Sequence, residues 1–294
     1  MSISNSCRKA DLALVAVLAV ASLYCVTNAQ AQTDGQKTFA SSKEALSAFI
    51  QAVREGNATD LQAILGAGTD ALVSSGDEVA DRKSRDQFIA RYDAKHSFVE
   101  SAPHQLTLNV GTDDWPLPIP LVHAGTQWYW DGKAGSEEIV YRRIGRNELS
   151  AIDVCKGTVS AQRDYAAAGH DGNPAGAYAQ RIISEPGKQN GLYWEVKEGE
   201  PPSPGGPRLA EASSEGYDIS GKRTPYHGYY YRMIQSASGF GFVAYPAEYR
   251  SSGVMTFLTN QTGVIYQKDL GEKTGEIAQA MADTKPDGTW KRVK

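Results

Sequence analysis

The chain has 294 residues, 41% of them hydrophobic and 22% charged, with a formal net charge of −4. Those values describe an ordinary globular protein and exclude a disordered tail or a disulfide scaffold. With 30 basic residues against 34 acidic ones it lacks the dense basic surface that a phosphate backbone requires, so no nucleic-acid partner is expected.

The first 31 residues read as a secretory signal peptide. Arg8 and Lys9 precede an apolar run from Leu12 to Val26, and Ala29-Gln30-Ala31 supplies the small-x-small pattern of a cleavage site. The run falls short of the roughly 20 apolar residues of a membrane span, and no later segment comes closer, so no transmembrane anchor is expected after cleavage. Cys25 follows Leu23 and Tyr24, which does not fit a lipoprotein signal. The expected location is periplasmic or secreted. Cleavage would leave 263 residues from Gln32 onward with Cys155 as the remaining cysteine, so stability has to come from packing rather than an internal disulfide.

In chain order, Ser41 and Glu44 have capping-box spacing, and Leu46, Phe49, Ile50 and Val53 recur on one helical face that Gly56-Asn57 ends. A short helix follows from Asp60 to Leu65. Ser84 and Gln87 repeat the capping spacing before a third helix with Phe88, Ile89, Tyr92 and Val99 on its face. Leu106, Leu108 and Val110 alternate as a strand, and Ile119–His123 joins Gln127–Asp131 in a β-hairpin that points Trp128 and Trp130 to one side. Between them, prolines at 116, 118 and 120 predict an edge, crossover or strap. Two helical pieces follow, broken near Gly145, the second capped by Asn147 and carrying Leu149, Ile152, Cys155, Val159 and Gln162/Tyr165 on its stripe. Cys155 reads as a small buried hydrophobe. Residues 197–216, rich in Pro, Gly and Glu, predict a flexible exposed loop. Tyr229–Gln235, Phe240–Tyr245, Val254–Asn260 and Val264–Lys268 are spaced as an antiparallel meander, closed by a helix from Glu272 to Ala282.

Catalytic motifs are absent from the mature sequence. It has no nucleophile elbow, phosphate loop or dinucleotide fingerprint, so no catalytic residues are assigned and no cofactor is expected. The five histidines lack zinc-motif spacing, and the segment at 170–176 offers one carboxylate, Asp171, where calcium wants several oxygens, so no metal site is expected. Tyr226, His227, Tyr229, Tyr230 and Tyr231 crowd six positions. On a strand one row of such rings enters the core, and the other suits a sugar, a peptide or a protein. Tyr226, His227 and Tyr230, with Trp115 beside the proline strap, are the binding candidates. Under the other reading, Asp93, His96 and Asp114 line a pocket in the first lobe; a histidine at a helix end bonded to a carbonyl explains His96 as well.

The strings VSSGDEVADR, DDWPLPIPLV, RRIGRNELSAIDVC, AQRDYAA, GLYWEVKEGEPPSPGGP, PYHGYYYRMI and YPAEYRSSGVMTFLTNQTGVIYQKDLG run in this order through nearly all of the mature chain. They resemble the bacterial family catalogued as domain of unknown function 2950. The resemblance implies an exported protein and carries over no catalytic residue; where relatives have an acidic, calcium-loop-like run, 169–176 keeps Asp171 alone. The C-terminal half, NELSAIDVCKGTVSAQRDYAA followed by its meander, is similar to the soluble part of type IV pilin-like proteins, without their apolar N-terminal half-helix. The N-terminal half is similar in general pattern to the nuclear-transport-factor-like cone fold.

These readings combine into an α+β protein. A signal peptide at 1–31 precedes an N-terminal lobe at 37–145, with helices and an antiparallel hairpin sheet. A C-terminal lobe at 146–294 packs a long helix on an antiparallel meander. The leading expectation is a non-enzymatic protein that binds an envelope protein or glycan; the rival is a small-molecule enzyme or binding protein with a cone-shaped pocket in the N-terminal lobe.

Overall fold

The computed structural model describes residues 35–218, 220, 223–236 and 239–294; the signal-peptide reading at 1–31 lies outside the described residues. Helices α1 (Ser42–Glu55), α2 (Ala58–Leu65), α3 (Asp70–Val73) and α4 (Glu78–Ala94) come first. Strands β1 (His96–Ala102), β2 (Gln105–Val110), β3 (Trp115–Pro116), β4 (Leu121–Ala124) and β5 (Gln127–Trp130) then form an antiparallel sheet in the order β1-β2-β4-β5, with β3 on β2. Helix α5 runs from Gly132 to Ala166, and α6 from Gly206 to Ser214. A meander follows: β6 (Tyr229–Ser236), β7 (Gly239–Pro246), β8 (Met255–Asn260) and β9 (Tyr266–Asp269), then α7 (Thr274–Ala280) and β10 (Lys291–Arg292), giving the order β10-β9-β8-β7-β6. The architecture is α+β. No helix among the described residues is long and apolar enough to cross a membrane.

The first core forms where α1 and α2 cover the hairpin sheet. The hairpin register sets Leu121 opposite Trp130 and His123 opposite Trp128, so alternation buries Trp130 among Phe49, Leu108 and Leu121. The indole N–H of Trp130 donates to the Ala45 carbonyl at 3.1 Å, which satisfies its polar edge inside the core. The meander has an apolar row on each face. Tyr229, Met233, Phe242 and Phe257 pack against Ala151, Cys155 and Val159 of α5, while Ile234, Val243, Tyr245 and Leu258 pack with Ala278 of α7.

Four local readings need correction. α5 is one helix of 35 residues that continues through Gly145, and Asn147 is not a cap: its amide donates to the Ser252 carbonyl at 2.9 Å. A single glycine costs a helix about 1 kcal/mol relative to alanine, which packing on both sides of Gly145 outweighs. The buried stripe runs through Ala151 and Cys155, leaving Leu149 69% exposed. α4 starts at Asp77, whose carboxylate accepts from Ala80 N at 3.0 Å, while Ser84 lies mid-helix and donates to the Ala80 carbonyl. Its first turns carry charge instead of an apolar stripe, which hid the start from periodicity, and Val99 belongs to β1 rather than to the helix. Within 197–216, residues 206–214 are helical, with Pro207 in the first turn where its fixed φ favours a start.

Side chains on α5 clip α3, the start of β8 and the segment at Ala179 to it. Arg143 donates to the Ala71 carbonyl at 2.6 Å, and one Glu148 oxygen accepts from Val254 N and Met255 N at 3.1 and 3.0 Å. Buried Gln162 holds both backbone groups of Ala179, at 2.7 and 2.9 Å. A Cβ on Gly145 would meet nothing within 4 Å. Gly145→Ala should therefore stabilise the protein by about 1 kcal/mol in chemical denaturation; a lower midpoint would contradict a helix continuous through this position.

Candidate functional site

A cavity of about 450 Å³ opens beside β6, the outer strand of the meander. Four elements build it. From α5, Val154, Gly157, Thr158 and Ala161 recur at helical spacing and form the floor. From α6 come Arg208, Leu209 and Ala212; the segment before it supplies Arg181, Ile182, Ile183 and Leu192. β6 contributes the consecutive residues Tyr230 to Met233, so the cavity wraps around the strand edge and meets side chains from both faces of the sheet. Gly157 lets the Arg208 guanidinium lie against α5, since a Cβ there would sit 2.6 Å from Arg208 Nε and push that side chain aside.

The lining is apolar with a cationic rim. Four guanidiniums, Arg181, Arg208, Arg223 and Arg232, stand against a single carboxylate, Asp218. Arg181 pairs with Glu185 at 3.1 Å and Arg208 with Asp153 at 2.7 Å, and the Asp153 hydrogen bond raises the Arg208 pKa. Arg223 instead lies over the ring of Tyr230, 4.7 Å from its centroid, and donates to the Tyr245 hydroxyl. Arg232 donates to the Ala278 carbonyl at 2.8 Å, to the Met281 carbonyl and to its neighbour Met233's carbonyl at 3.3 Å, which leaves its Nε, buried without a hydrogen-bond partner among the described residues, as its unsatisfied donor. Burial lowers the Arg232 pKa, and Arg223 nearby adds to that. Among the described residues, neither Arg223 nor Arg232 has a carboxylate within salt-bridge distance. The phenol of Tyr226, on the same lining, is pushed up to about 12, first by burial and then by Glu215 and Glu211.

One wall of the cavity is latched to α4. Tyr217 lines the cavity and donates its hydroxyl to the Asp77 carboxylate at 3.2 Å, and Gly228 N donates to the same oxygen at 2.7 Å. Asp77 is 1% exposed, so an unpartnered carboxylate here would cost several kcal/mol, and its three donors make burial tolerable. Beside it, His227 Nε2 lies 2.7 Å from Glu215, which also pairs with Lys83 of α4 at 3.2 Å. His227 takes φ 51° and Gly228 φ 76°, which turns the chain sharply into β6.

Of the sequence candidates, Tyr226 and Tyr230 line this cavity, and His227 sits in the latch. Tyr229 belongs to the core on the α5 side, and Tyr231 packs against that core while also lining the cavity. Trp115 lines a separate cavity in the N-terminal half. Asp93 pairs with Arg54 on the surface, Asp114 with Lys95 at 2.8 Å, and His96 stacks on Tyr92 and meets its carbonyl at 2.9 Å. Those three line neither cavity. The arginines and Tyr217 were missed because they come from four separated segments; the one local signal was RTPYHGYYYR, where Arg223 and Arg232 bracket the tyrosines. Among the described residues no three His, Cys, Asp or Glu side chains gather as a metal site. Cys155 is fully buried, which pushes its thiol well above the usual range and keeps it unreactive.

A family model described as protein of unknown function (DUF2950) matches residues 36–238 and 234–293. The chain belongs to that family. No curated protein and no solved structure matches it.

Burial opposes the charge on Glu215, but hydrogen bonds from His227 and Lys83 outweigh it and hold the carboxyl below its ordinary 4.5. A folded-state value below the unfolded one contributes stability in full above pH 4.5 that is lost as pH falls through the folded value. Glu215→Gln should therefore lower the melting temperature at neutral pH and leave it nearly unchanged at pH 3, measured by differential scanning calorimetry; an equal loss at both pH values would contradict the ionic latch.

Proposed function

We propose that this protein is exported and serves in the cell envelope as a non-enzymatic binding protein, its ligand an elongated apolar molecule that ends in an acid group. The observation that carries this reading is the pair of guanidiniums without carboxylate partners among the described residues, Arg223 and Arg232, on a largely apolar cavity. Its volume of about 450 Å³ is that of a drug-sized ligand site. Leu209, Ala212, Met233 and Phe242 would take the apolar body, while the guanidiniums would take the acid through charge-assisted hydrogen bonds. Export is supported by the signal-like first 31 residues. A binding role is supported by the character of the lining, which offers phenols and guanidiniums that hold an acid; no histidine, cysteine or serine is among the lining residues. Tyr226 and Tyr230 then act as ring walls rather than as an exposed recognition row.

The test is isothermal titration of the purified protein with decanoate and with decyltrimethylammonium, which share a chain length and differ in charge. Decanoate should bind in the micromolar range, the cation at least tenfold more weakly, and Arg223→Gln should weaken decanoate about tenfold, the ratio of one lost charge-assisted bond. Equal binding of the two surfactants, or no decanoate binding at about 1 mM, would overturn the assignment.

A further inference from the structure

A second cavity, of about 250 Å³, lies in the N-terminal half, on the other end of α5 from the first. Its walls are apolar and rich in rings: Phe49 and Val53 of α1, Leu65 of α2, Phe88 of α4, Trp115 of β3 and Ile139 of α5. Its rim is again cationic, with Arg85 from α4 and Arg142, Arg143 and Arg146 from α5 against the one carboxylate Asp81. These charges are not equivalent. Arg142 pairs with Glu138 one turn earlier. Arg143 is spent on structure, donating to the Ala71 carbonyl at 2.6 Å and to Ser251 Oγ at 3.4 Å, and burial lowers its pKa. Asp81 is committed to Ser75, whose N and Oγ lie 2.9 and 2.7 Å from it. Arg85 packs over Gly56, where a Cβ would come within 3.3 Å of its guanidinium, and makes no ion pair among the described residues. Arg146 is exposed and likewise has no carboxylate partner among them. The rim therefore carries two uncompensated cations beside a pocket whose interior can satisfy only apolar groups.

We propose that this second cavity is a binding site for an aromatic group that carries a carboxylate two or three bonds away, the ring inside among Phe49, Phe88 and Trp115 and the carboxylate at the rim on Arg85 and Arg146. Size sets the class. A cavity of about 150 Å³ accommodates benzene, so 250 Å³ holds one ring and a short tail. Edge-to-face contacts suit the ring, since Phe49 and Phe88 already meet at 74° with centroids 6.1 Å apart. The carboxylate would neutralise charge that is otherwise left to water, and bidentate geometry favours it over a neutral group. The same chemistry occurs in a free aryl-alkanoic acid and in a polypeptide that ends in phenylalanine with its terminal carboxylate free.

The experiment follows Trp115 fluorescence and protein-observed NMR while the full chain is titrated with 3-phenylpropanoate, 3-phenylpropanamide, and an Ala-Ala-Phe peptide with either a free or an amidated terminus. Saturable binding of 3-phenylpropanoate with at least tenfold weaker amide binding supports the site with a free acid as its natural class. Preference for the free-ended peptide over both small molecules supports it with a chain end. Arg146→Gln, at an exposed position that folding does not require, should weaken the acid about tenfold and leave the amide unchanged. Ile139→Trp should abolish binding by filling the cavity, with an unshifted melting curve as the folding control. Equal affinity for acid and amide, no binding by any of the four, or binding that survives both substitutions would overturn the proposal. Arg223→Gln leaves this titration unaltered, which separates failure here from failure of the first site.

Discussion

Everything in this structure depends on one helix being uninterrupted. α5 is 35 residues long, roughly 50 Å at about 1.5 Å per residue, and side chains that leave it at different heights hold α3, the start of β8 and the segment at Ala179. Arg143 holds the α3 segment, Asn147 and Glu148 hold the turn and first residues of β8, and Gln162 holds the strand-like segment at Ala179. These bonds are made to backbone groups, so losing one removes a partner from a polar group as well as a contact. The helix also lines both cavities, through Ile139 and Arg146 at one end and Val154 to Ala161 at the other. A bend at Gly145 would alter both lining surfaces at once.

A common physical pattern recurs at the two cavities. In each, apolar walls meet a rim with more guanidinium than carboxylate, and in each some arginines are consumed by structure while others have no acid partner among the described residues. A chain with a net charge of −4 has no general excess of cations, so their concentration at two concave apolar surfaces is local rather than compositional. Water can solvate such a guanidinium, but an acid on an apolar body satisfies the rim and covers the wall together. The first cavity is tied to the N-terminal half through Tyr217 and buried Asp77, so occupancy of the cavity and the position of α4 share one hydrogen-bonded element.

Much of this architecture was legible in the residues. Ser41 caps α1 as its spacing predicts, the proline strap lies at a sheet edge, and the meander follows from four alternating runs separated by glycine turns. What escaped was governed by tertiary contacts. Gly145 reads locally as a break, and only packing on both sides overrides it. α4 begins with charged residues, and its start is fixed instead by Asp77, whose burial depends on partners 140 and 151 positions away, Tyr217 and Gly228. The tyrosine cluster is visible as a composition anomaly, and three of its members, Tyr226, Tyr230 and Tyr231, line the first cavity, but the arginines that give that cavity its chemistry lie on four segments that only the fold brings together. Asp93, His96 and Asp114 are polar residues that a cone-shaped pocket would use, and each is accounted for by a neighbour instead: Arg54, Tyr92 and Lys95.

The most direct test of the central claim is a crystal structure of the protein grown with decanoate. The account requires density for the acid at Arg223 and Arg232, an alkyl chain running past Leu209 and Met233, and α5 continuous from Gly132 to Ala166. Decanoate bound elsewhere with this cavity filled by protein side chains, or an α5 broken at Gly145, would contradict it.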